Sequence, residues 1–438
     1  MANVNEKQEQ MFNRWLSAEG IDFINDEAER AYKARITRIK DAIQLKKTPD
    51  RVPICPIISF FPTYYSGFKP EETMHDYSKA AEAARKFVND FQPDTSPGII
   101  FAGSAPLFEI LDYKQYAWPG HGVPPEHPYQ CIEAEYMKPD EYDAFIQDPS
   151  HYYLSTLFPR TCGALKGLKN VMSPAMVREN LYGAFVLPFA NPEVQESYKT
   201  LFKAGEEAAK WMGQVGQFDV EMAAAGYPNM AGGFTKAPFD VLGDILRGTK
   251  GVMRDLYKRP EKLKKAMETI TPFLIQGGIG MAMQSGNPIV FMPLHKGADG
   301  FLSDEQFKEF YWPGFKKVMM GLINAGCVPY PFVEGGYNTR LEVIKDIPKG
   351  TTGWTFDQTD MNKAKEILGD VACIGGNISS SLLATGTPEK VKERCRYLID
   401  TCGSDGGYIM ANGAALDHAK PENLKAMIDF TKEYGKYD

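Results

Sequence analysis

The chain reads Cys327-Val-Pro-Tyr-Pro-Phe-Val-Glu-Gly-Gly336 at the start of the segment that decides its fold. Short β-rich runs and helical patterns then alternate, which predicts parallel strands joined by right-handed crossovers. In a closed β/α barrel the C-terminal ends of such strands converge on one mouth, where the chemistry takes place. Each run here ends in a carboxylate, an amide or a glycine: Thr351-Thr-Gly-Trp-Thr-Phe-Asp357, Val371-Ala-Cys-Ile-Gly-Gly-Asn-Ile378 and Gly407-Tyr-Ile-Met-Ala-Asn-Gly413.

Four upstream segments complete a predicted barrel of eight strands. They are Arg51–Phe60, Gly98–Gly103, Phe218–Met222 and Pro288–His295, whereas the glycine-rich Ala231–Phe234 is interpreted as a turn. Helices are predicted over Glu193–Met212, over a long run that begins at Asp255 with Pro260 in a first turn, and over Asp304–Trp312 with Ser303 or Asp304 as cap.

The chain is longer than a bare barrel requires. It has 438 residues, whereas an ordinary β/α barrel needs roughly 250. We therefore predict an α/β protein whose (β/α)8 barrel domain covers residues 51–438. A charged helical extension over residues 1–50 either covers the bottom of the barrel or forms an oligomer contact, and a segment rich in Pro, Tyr and Trp at about 104–200 forms an inserted lid.

Composition excludes several classes of protein. The net charge of −7 is spread without a basic block, which argues against nucleic acid as a partner. No apolar run is long enough for a membrane span, and the N-terminus lacks an apolar signal core. The seven cysteines are scattered without a CxxC pair, so a cytoplasmic protein with reduced thiols is expected.

Several motifs in one order resemble the uroporphyrinogen decarboxylase superfamily, whose fold is a β/α barrel. They are Gly297-Ala-Asp-Gly-Phe-Leu-Ser-Asp-Glu-Gln-Phe, Phe310-Tyr-Trp-Pro, Gly375-Gly-Asn-Ile, Gly386-Thr-Pro-Glu-Lys-Val, Gly406-Gly-Tyr-Ile and Lys420-Pro-Glu-Asn-Leu-Lys-Ala-Met427. The resemblance covers about residues 240–430. It implies one of two chemistries, decarboxylation of a porphyrinogen or methyl transfer involving a corrinoid protein.

The decarboxylase branch carries arginines after its first strand for the acetate groups of its substrate. The matching stretch here, Ser59-Phe-Phe-Pro-Thr-Tyr-Tyr-Ser-Gly67, contains no arginine. Because a porphyrinogen with many carboxylates needs a cationic pocket, tetrapyrrole decarboxylation is kept only as the alternative function. A tetrapyrrole or corrinoid carrier without chemistry is a third hypothesis, against which the polar strand ends argue.

The thiol-methylating members of the other branch bind zinc through His-x-Cys and a later Cys. The apparent counterparts here are Phe332-Val-Glu334 and Ala411-Asn-Gly-Ala-Ala415, so these ligands are missing. With Glu334 at this position, the sequence resembles the methyltransferases that demethylate O-methyl or N-methyl compounds. These enzymes pass the methyl group to a separate corrinoid protein. No DxHxxG motif occurs, so the cobalamin is expected on that partner, which docks at an open barrel mouth.

Cleavage of an aryl methyl ether needs a proton or a positive charge at the ether oxygen. Glu334 is the first candidate for a general acid or metal ligand, and His295 and Asp357 are the other catalytic candidates. Each of the three also has a purely structural alternative. Glu334 can accept backbone N–H groups, His295 can be simply hydrogen-bonded, and Asp357 can close a loop. If zinc is bound, the best ligands are Glu334 and His295, with Glu221 or His418 as further donors.

Substrate contacts are predicted at other strand ends. Asn377 and Asn412 are candidates for orienting a ligand, although either can instead cap a helix or close a loop. The remaining candidates are an aromatic wall of Tyr64, Tyr65 and Tyr337, and Arg340 as the partner of a substrate carboxylate or of Glu342. The predicted function is methyl transfer to cob(I)alamin on a corrinoid protein, with an aryl methyl ether as first donor and a methylamine or betaine as second. Homodimerisation is left open.

Overall fold

A computed structural model describes residues 4–179 and 182–437. Its centre is a parallel sheet of six strands in which each strand pairs with the next along the chain. We number these as barrel strands three to eight: Gly233–Phe234, Ile289–Leu294, Val328–Val333, Gly353–Phe356, Cys373–Gly375 and Tyr408–Ile409.

Two shorter extended segments close this sheet into a barrel. Ile54, in the first segment, pairs in parallel with Met410 beside strand eight, and Ser96, in the second, pairs in parallel with Asn229 just before strand three. The backbone N–H of Asp94 donates to the carbonyl of Ile54 at 2.9 Å, which joins the two segments to each other. The predicted eight-stranded barrel is therefore confirmed.

Two of the predicted strands were placed wrongly. Phe218–Met222 belongs to the helix Pro192–Ala224, and the third strand is Gly233–Phe234, inside the run interpreted as a turn. Phe218 and Met222 follow Val215 on the buried face of that helix, a spacing of three and four residues that is helical. The predicted second strand also lies too late, because Ile100–Ala102 is a short 3₁₀ turn and the pairing occurs at Ser96.

Helices surround the barrel and cap its lower end. The prediction at Asp304–Trp312 is confirmed as Asp304–Gln306, a π turn over Phe307–Tyr311, and Trp312–Asn324, with Ser303 as the N-cap. The other longer helices are Val4–Ser17, Asp26–Gln44, Tyr77–Phe91, Pro192–Ala224, Gly248–Lys258, Pro260–Ser285, Met361–Leu368, Pro388–Leu398 and Pro421–Tyr434.

Short helices lie in the loops between these elements. The α-helical ones are Phe61–Tyr65, Pro70–His75, Ala105–Leu111, Tyr142–Gln147, Pro149–Tyr152, Phe158–Thr161, Tyr182–Val186, Pro238–Val241, Leu341–Ile344 and Ser380–Thr385. Further π turns cover Tyr153–Leu157, Leu242–Leu246 and Ile399–Gly403, and further 3₁₀ turns cover Gly163–Asn170, Pro174–Met176 and Leu187–Ala190. Among the described residues, no helix has the length and apolarity needed to cross a bilayer.

The barrel interior and the N-terminal helices share one hydrophobic core. Phe291 of strand four and Phe332 of strand five stack with ring centroids 5.7 Å apart. Phe12 and Trp15 of the first helix, together with Ile36 of the second, belong to the same buried cluster. The N-terminal helices therefore close the bottom of the barrel, which leaves its opposite end for the site.

A buried ion-pair network fixes the second helix to the barrel. Asp94 is almost fully buried and accepts hydrogen bonds from the guanidinium groups of Arg38 and Arg51. The same carboxylate accepts the backbone N–H of Ile54 at 2.7 Å. One side chain thus joins the N-terminal helices, the first barrel segment and the second.

The predicted insertion contributes a small sheet beside the mouth. Strand Tyr116–Pro119 pairs in parallel with Gly122–Val123 and antiparallel with Gln130–Cys131. Nε2 of Gln115, just before this sheet, donates to the carbonyl of Ile245 at 3.2 Å, so the sheet lies close to the loop after strand three. We propose that residues 104–200 act as the lid predicted from their composition.

Candidate active site

The C-terminal ends of strands four to seven carry four of the predicted polar side chains in a row. His295 follows Leu294, Glu334 follows Val333, Asp357 follows Phe356, and Asn377 lies two residues beyond Gly375. Adjacent strands lie about 4.8 Å apart, so these groups form one arc. The Nε2 atom of His295 lies 3.9 Å from Oε2 of Glu334.

A carboxylate that the sequence reasoning did not select holds this arc on one side. Asp244 lies in the π turn after strand three and accepts a hydrogen bond from Nδ1 of His295 at 2.6 Å. It also binds Nζ of Lys236 at 2.9 Å and Nζ of Lys296 at 3.0 Å. Because Nδ1 of His295 is engaged, its Nε2 is directed toward Glu334 and the mouth.

These contacts keep His295 positively charged over a wider pH range than a free histidine. Burial by itself lowers the pKa of His295, but the hydrogen bond and negative charge of Asp244 more than offset it, so the pKa is raised. Burial likewise opposes ionisation of Asp244, yet the hydrogen bond and charge of His295, with Lys236 and Lys296, hold the pKa of Asp244 well below its usual range. Both pKa shifts favour the ionised imidazolium–carboxylate form of the pair.

A second aspartate one helical turn earlier fixes the backbone under the histidine. Asp240 is fully buried and accepts the backbone N–H groups of His295 at 3.3 Å and Lys296 at 2.8 Å. The hydroxyl of Tyr311 donates to the same carboxylate at 2.7 Å. Asp240 therefore holds the backbone of the loop after strand four, and Asp244 holds the side chains of His295 and Lys296.

Aromatic rings line the opposite side of the mouth. The ring of Tyr64 lies 4.3 Å from that of His418, and its hydroxyl donates to the carbonyl of Glu126 in the insertion. Burial raises the pKa of Tyr64 to about 12, so this phenol stays neutral. The insertion adds Tyr129, whose ring lies 5.1 Å from that of Tyr116, so the insertion contributes aromatic rings beside Tyr64.

A polar cleft of 750 Å³ continues the arc past strand five. Asp357, Asn377 and Arg394 line it together with a run of serines at 379–381. Oδ2 of Asp357 accepts the backbone N–H of Gly335 at 3.2 Å, so the cleft begins one residue from Glu334. Burial raises the pKa of Asp357, partly offset by that hydrogen bond.

Four of the residues proposed for substrate binding have structural surroundings instead. Tyr65 packs on Phe91 and donates to Asp90, and Tyr337 is completely buried. The other two side chains are also occupied: Arg340 is buried among Asp304, Asp299 and the carbonyls of Gly297 and Leu302, while Asn412 bonds to the backbone of Ile57 and Ala414. These side chains hold loops around the mouth, and the geometry does not offer them to a ligand.

Glu221 lies at the other end of the barrel from His295 and Glu334. Its helix runs back toward the barrel bottom, where the carbonyl of Ala224 accepts the backbone N–H of Ile24, and Glu221 itself pairs with Arg85 at 2.5 Å. In the described parts of the chain, no three His, Cys, Asp or Glu side chains form a metal-binding group. The described residues therefore do not fit the predicted zinc site.

Sequence reasoning did not select Asp240, Asp244, Lys236 or Lys296, and one reason accounts for three of them. Three of them follow strand three, and that strand was interpreted as a turn. A strand at Gly233–Phe234 would have placed Lys236 and both aspartates in a βα loop at the mouth. The signal was therefore present in the chain, but it depended on one two-residue strand.

The uroporphyrinogen decarboxylase (URO-D) family model matches residues 226–434. This region carries strands three to eight and every residue of the His295–Glu334 arc. Residues 226–434 form a URO-D family domain. The superfamily recognised from the motifs is thereby confirmed, and its relatives include methyltransferases as well as decarboxylases.

Curated relatives match part of the chain at low identity. A uroporphyrinogen decarboxylase of Chlorobium luteolum is 31% identical over 30% of this chain and 38% of that protein. A methylated-thiol–coenzyme M methyltransferase of Methanosarcina mazei is 26% identical over 45% of this chain and 51% of that protein. The chain thus spans about half or less of the length of these relatives.

A solved structure extends the likeness over nearly the whole chain. A methyltransferase from Methanosarcina mazei superposes with a TM-score of 0.57 at 17% sequence identity, over 91% of this chain and 98% of that one. At this identity the likeness concerns the fold. It covers the N-terminal half as well, which the family model does not reach.

Proposed function

We propose that this protein is a methyltransferase that moves a methyl group from a methylated small molecule, first an aryl methyl ether, to cob(I)alamin carried by a partner corrinoid protein. The observation that carries the proposal is the His295–Glu334 pair, with His295 charged by Asp244 at the barrel mouth. An imidazolium at that position is a proton donor next to a strand-end carboxylate.

The reaction needs a proton at the leaving oxygen. The acceptor brings its own nucleophile, whose electron pair forms the bond to the methyl carbon while the bond between that carbon and the ether oxygen breaks. The proton on Nε2 of His295 passes to the oxygen, so the donor leaves as a neutral phenol. Glu334 orients this proton and stabilises the imidazolium before transfer, and Asp244 holds Nδ1 throughout.

The composition of the site favours oxygen or nitrogen leaving groups over a thiol acceptor. Zinc sites that activate thiols use sulfur and imidazole ligands, and the counterpart position here holds Glu334, half exposed at the mouth. A methylamine or betaine remains the second choice of donor, since Tyr64 and His418 offer aromatic faces to a cation.

Tetrapyrrole decarboxylation is the second candidate because a Chlorobium luteolum protein of that name is among the relatives. Its substrate needs several free cations. Lys236 and Lys296 are both paired with Asp244, and Arg340 is buried against Asp304. These pairings support methyl transfer over decarboxylation.

One assay tests the function directly. The purified chain is mixed anaerobically with cob(I)alamin and a panel of methoxyarenes, methylamines and betaines, and the cobalt spectrum is followed. We expect methylcob(III)alamin to form with at least one methoxyarene. Failure with every donor, or release of carbon dioxide from uroporphyrinogen, would overturn the proposal.

A further inference from the structure

The polar cleft beyond strand five is not used by the proton transfer itself. Its wall consists of Asn338, the segment Asp357–Asp360, Asn377, Ser379–Leu382, Arg394 and Ala414, most of which have polar side chains although the surface they expose to the cleft is more apolar than polar. Such a cleft offers hydrogen-bonding groups to a polar substituent of a ligand, beside apolar surface that can contact the carbon atoms of the same ligand.

Arg394 is the cation of this cleft. Its Nη2 donates to Oδ1 of Asn377 at 2.6 Å, and its guanidinium lies 4.8 Å from the ring of Tyr397. Within residues 4–179 and 182–437, no carboxylate lies within ion-pair distance of it, and its other nitrogens have no hydrogen-bond acceptor. A guanidinium has five N–H donors, so a fork of donors remains available to a ligand.

Asn377 shows that this guanidinium is held in place. Asn377 is itself buried, and its amide nitrogen donates to the carbonyl of Thr359 at 2.8 Å. Its oxygen is thereby turned toward Arg394. A preorganised guanidinium loses less side-chain entropy on binding a planar oxyanion than a free one does.

The two acids of the cleft do not neutralise Arg394. Asp360 accepts the backbone N–H of Asn362 and caps the helix Met361–Leu368. Asp357 accepts the backbone N–H of Gly335, and burial raises its pKa. Both carboxylates therefore face backbone N–H groups.

The cleft is continuous with the reactive arc. Strand five carries Glu334, strand six carries Asp357 and strand seven leads to Asn377. With adjacent strands about 4.8 Å apart, Asn377 lies roughly 10 Å along the rim from Glu334 and roughly 14 Å from His295. A benzene ring with a methoxy group at one end and a carboxylate at the other, together with a hydrogen bond at each end, is of this order of length.

We propose that Arg394 anchors a carboxylate substituent of the methyl donor, so that the donor is a methoxylated aromatic acid and not a neutral methoxyarene. The identification of the ligand as a methyl donor rests on the proposed function. Binding of its carboxylate to Arg394 does not depend on methyl transfer. The ring lies toward Tyr64 and His418, the methoxy oxygen faces Nε2 of His295, and the carboxylate receives the guanidinium fork.

The test is isothermal titration calorimetry of the full chain without corrinoid. The ligands are the three methoxybenzoate isomers, their neutral methyl esters and inorganic phosphate. We expect at least one methoxybenzoate to bind about tenfold or more tightly than its ester, because a charge-assisted hydrogen bond stabilises the acid alone. Arg394→Gln removes that preference, Arg394→Lys keeps part of it, and Lys392→Gln, an exposed charge on the same helix, leaves it unchanged.

Each contrary result overturns the assignment. Equal affinity for acid and ester, a preference that survives in Arg394→Gln, or no binding of any ligand to the unaltered chain contradicts a carboxylate anchor. Phosphate binding that depends on Arg394, without binding of the acids, identifies a phosphate site instead. Methyl transfer in the cobalamin assay without an acid preference leaves the proposed function intact and removes this inference alone.

Discussion

At the scale of single residues, the site depends on how one carboxylate is shared. Asp244 binds three cationic side chains, yet its shortest contact is to Nδ1 of His295 at 2.6 Å. That contact sets both the orientation and the charge of the imidazole, and Glu334 then faces its other nitrogen. The proposed chemistry therefore depends on a proton donor that the sequence indicated, His295, and on a carboxylate that it did not indicate, Asp244.

Replacement of Asp244 by Asn should change the pH dependence of methyl transfer. The hydrogen bond and charge of Asp244, which are the largest influences that raise the pKa of His295, disappear, while burial and the charge of Lys236 still lower it and the charge of Asp240 still raises it. The group that must be protonated then loses its proton at lower pH, so the alkaline limb of the rate profile moves to lower pH. The rate profile and an NMR titration of His295 both measure this shift.

A matched control is Glu221→Gln, which removes a carboxylate paired with Arg85 far from the mouth. It should leave the alkaline limb where it is. An unchanged limb in Asp244→Asn, with His295 titrating as before, would show that Asp244 is only a structural support.

Replacement of Glu334 by Gln should lower the rate of methyl transfer and leave the fold intact. The side chain is half exposed, so the loss of its charge costs little stability. Loss of a group that positions a proton typically costs about 10²–10⁴ in rate. Single-turnover kinetics with cob(I)alamin and thermal melting measure the two effects, and an unchanged rate would remove Glu334 from its proposed role.

At the scale of elements, stability and reactivity occupy opposite ends of the barrel. Strand ends four to seven carry the polar arc, while the network around Asp94 joins the second helix to the first two barrel segments. This separation is the usual one for β/α barrels. Substitutions at the lower end should therefore change folding without changing the chemistry.

Asp94→Ala should destabilise the protein by about 3–5 kcal/mol, because it leaves two buried guanidinium groups without their shared anion. Urea denaturation measures the change in the free energy of unfolding. The control is Asp50→Asn, which removes the mostly exposed second partner of Arg38 and should cost about 1 kcal/mol or less. Similar losses in both variants would mean that burial of Asp94 has no special role.

At the scale of the whole molecule, the N-terminal helices are part of the barrel and not an appendage. Phe12 is fully buried, and it belongs to the same core as Phe291 and Phe332 inside the barrel. Removing such a side chain exposes the interior of the sheet from below. The upper end stays open between the insertion and the strand ends, where we propose that a corrinoid protein docks.

Phe12→Ala should lower the free energy of unfolding by about 3–5 kcal/mol, as expected for loss of a buried phenylalanine. Unfolding should remain a single transition by fluorescence and circular dichroism, because the helices and the barrel share one core. Phe202→Ala is the matched control, since that ring is largely exposed and its loss should change stability by about 0.5 kcal/mol or less. A separate early transition in Phe12→Ala would show that the helices fold apart from the barrel.

Long apolar runs made most of the barrel predictable. Strands four and five are continuous β-rich segments bounded by turn residues, and both were placed correctly. Strand three contains only Gly233 and Phe234, which is too short for a periodic pattern. The preceding helix Pro192–Ala224 carries apolar residues that also satisfy strand alternation at Phe218–Met222, so local pattern alone assigned the strand to the wrong place.

The sequence by itself determined the fold class, the superfamily and the arrival of His295 and Glu334 at strand ends, because strand periodicity and chain order specify which residues leave the sheet at its upper edge. Only the tertiary structure decided which side chains meet them. Asp244 reaches His295 from a different βα loop, while Tyr337 is fully buried and Arg340 is buried and paired with Asp304. Such contacts depend on the packing of segments far apart in the chain, which no local pattern records.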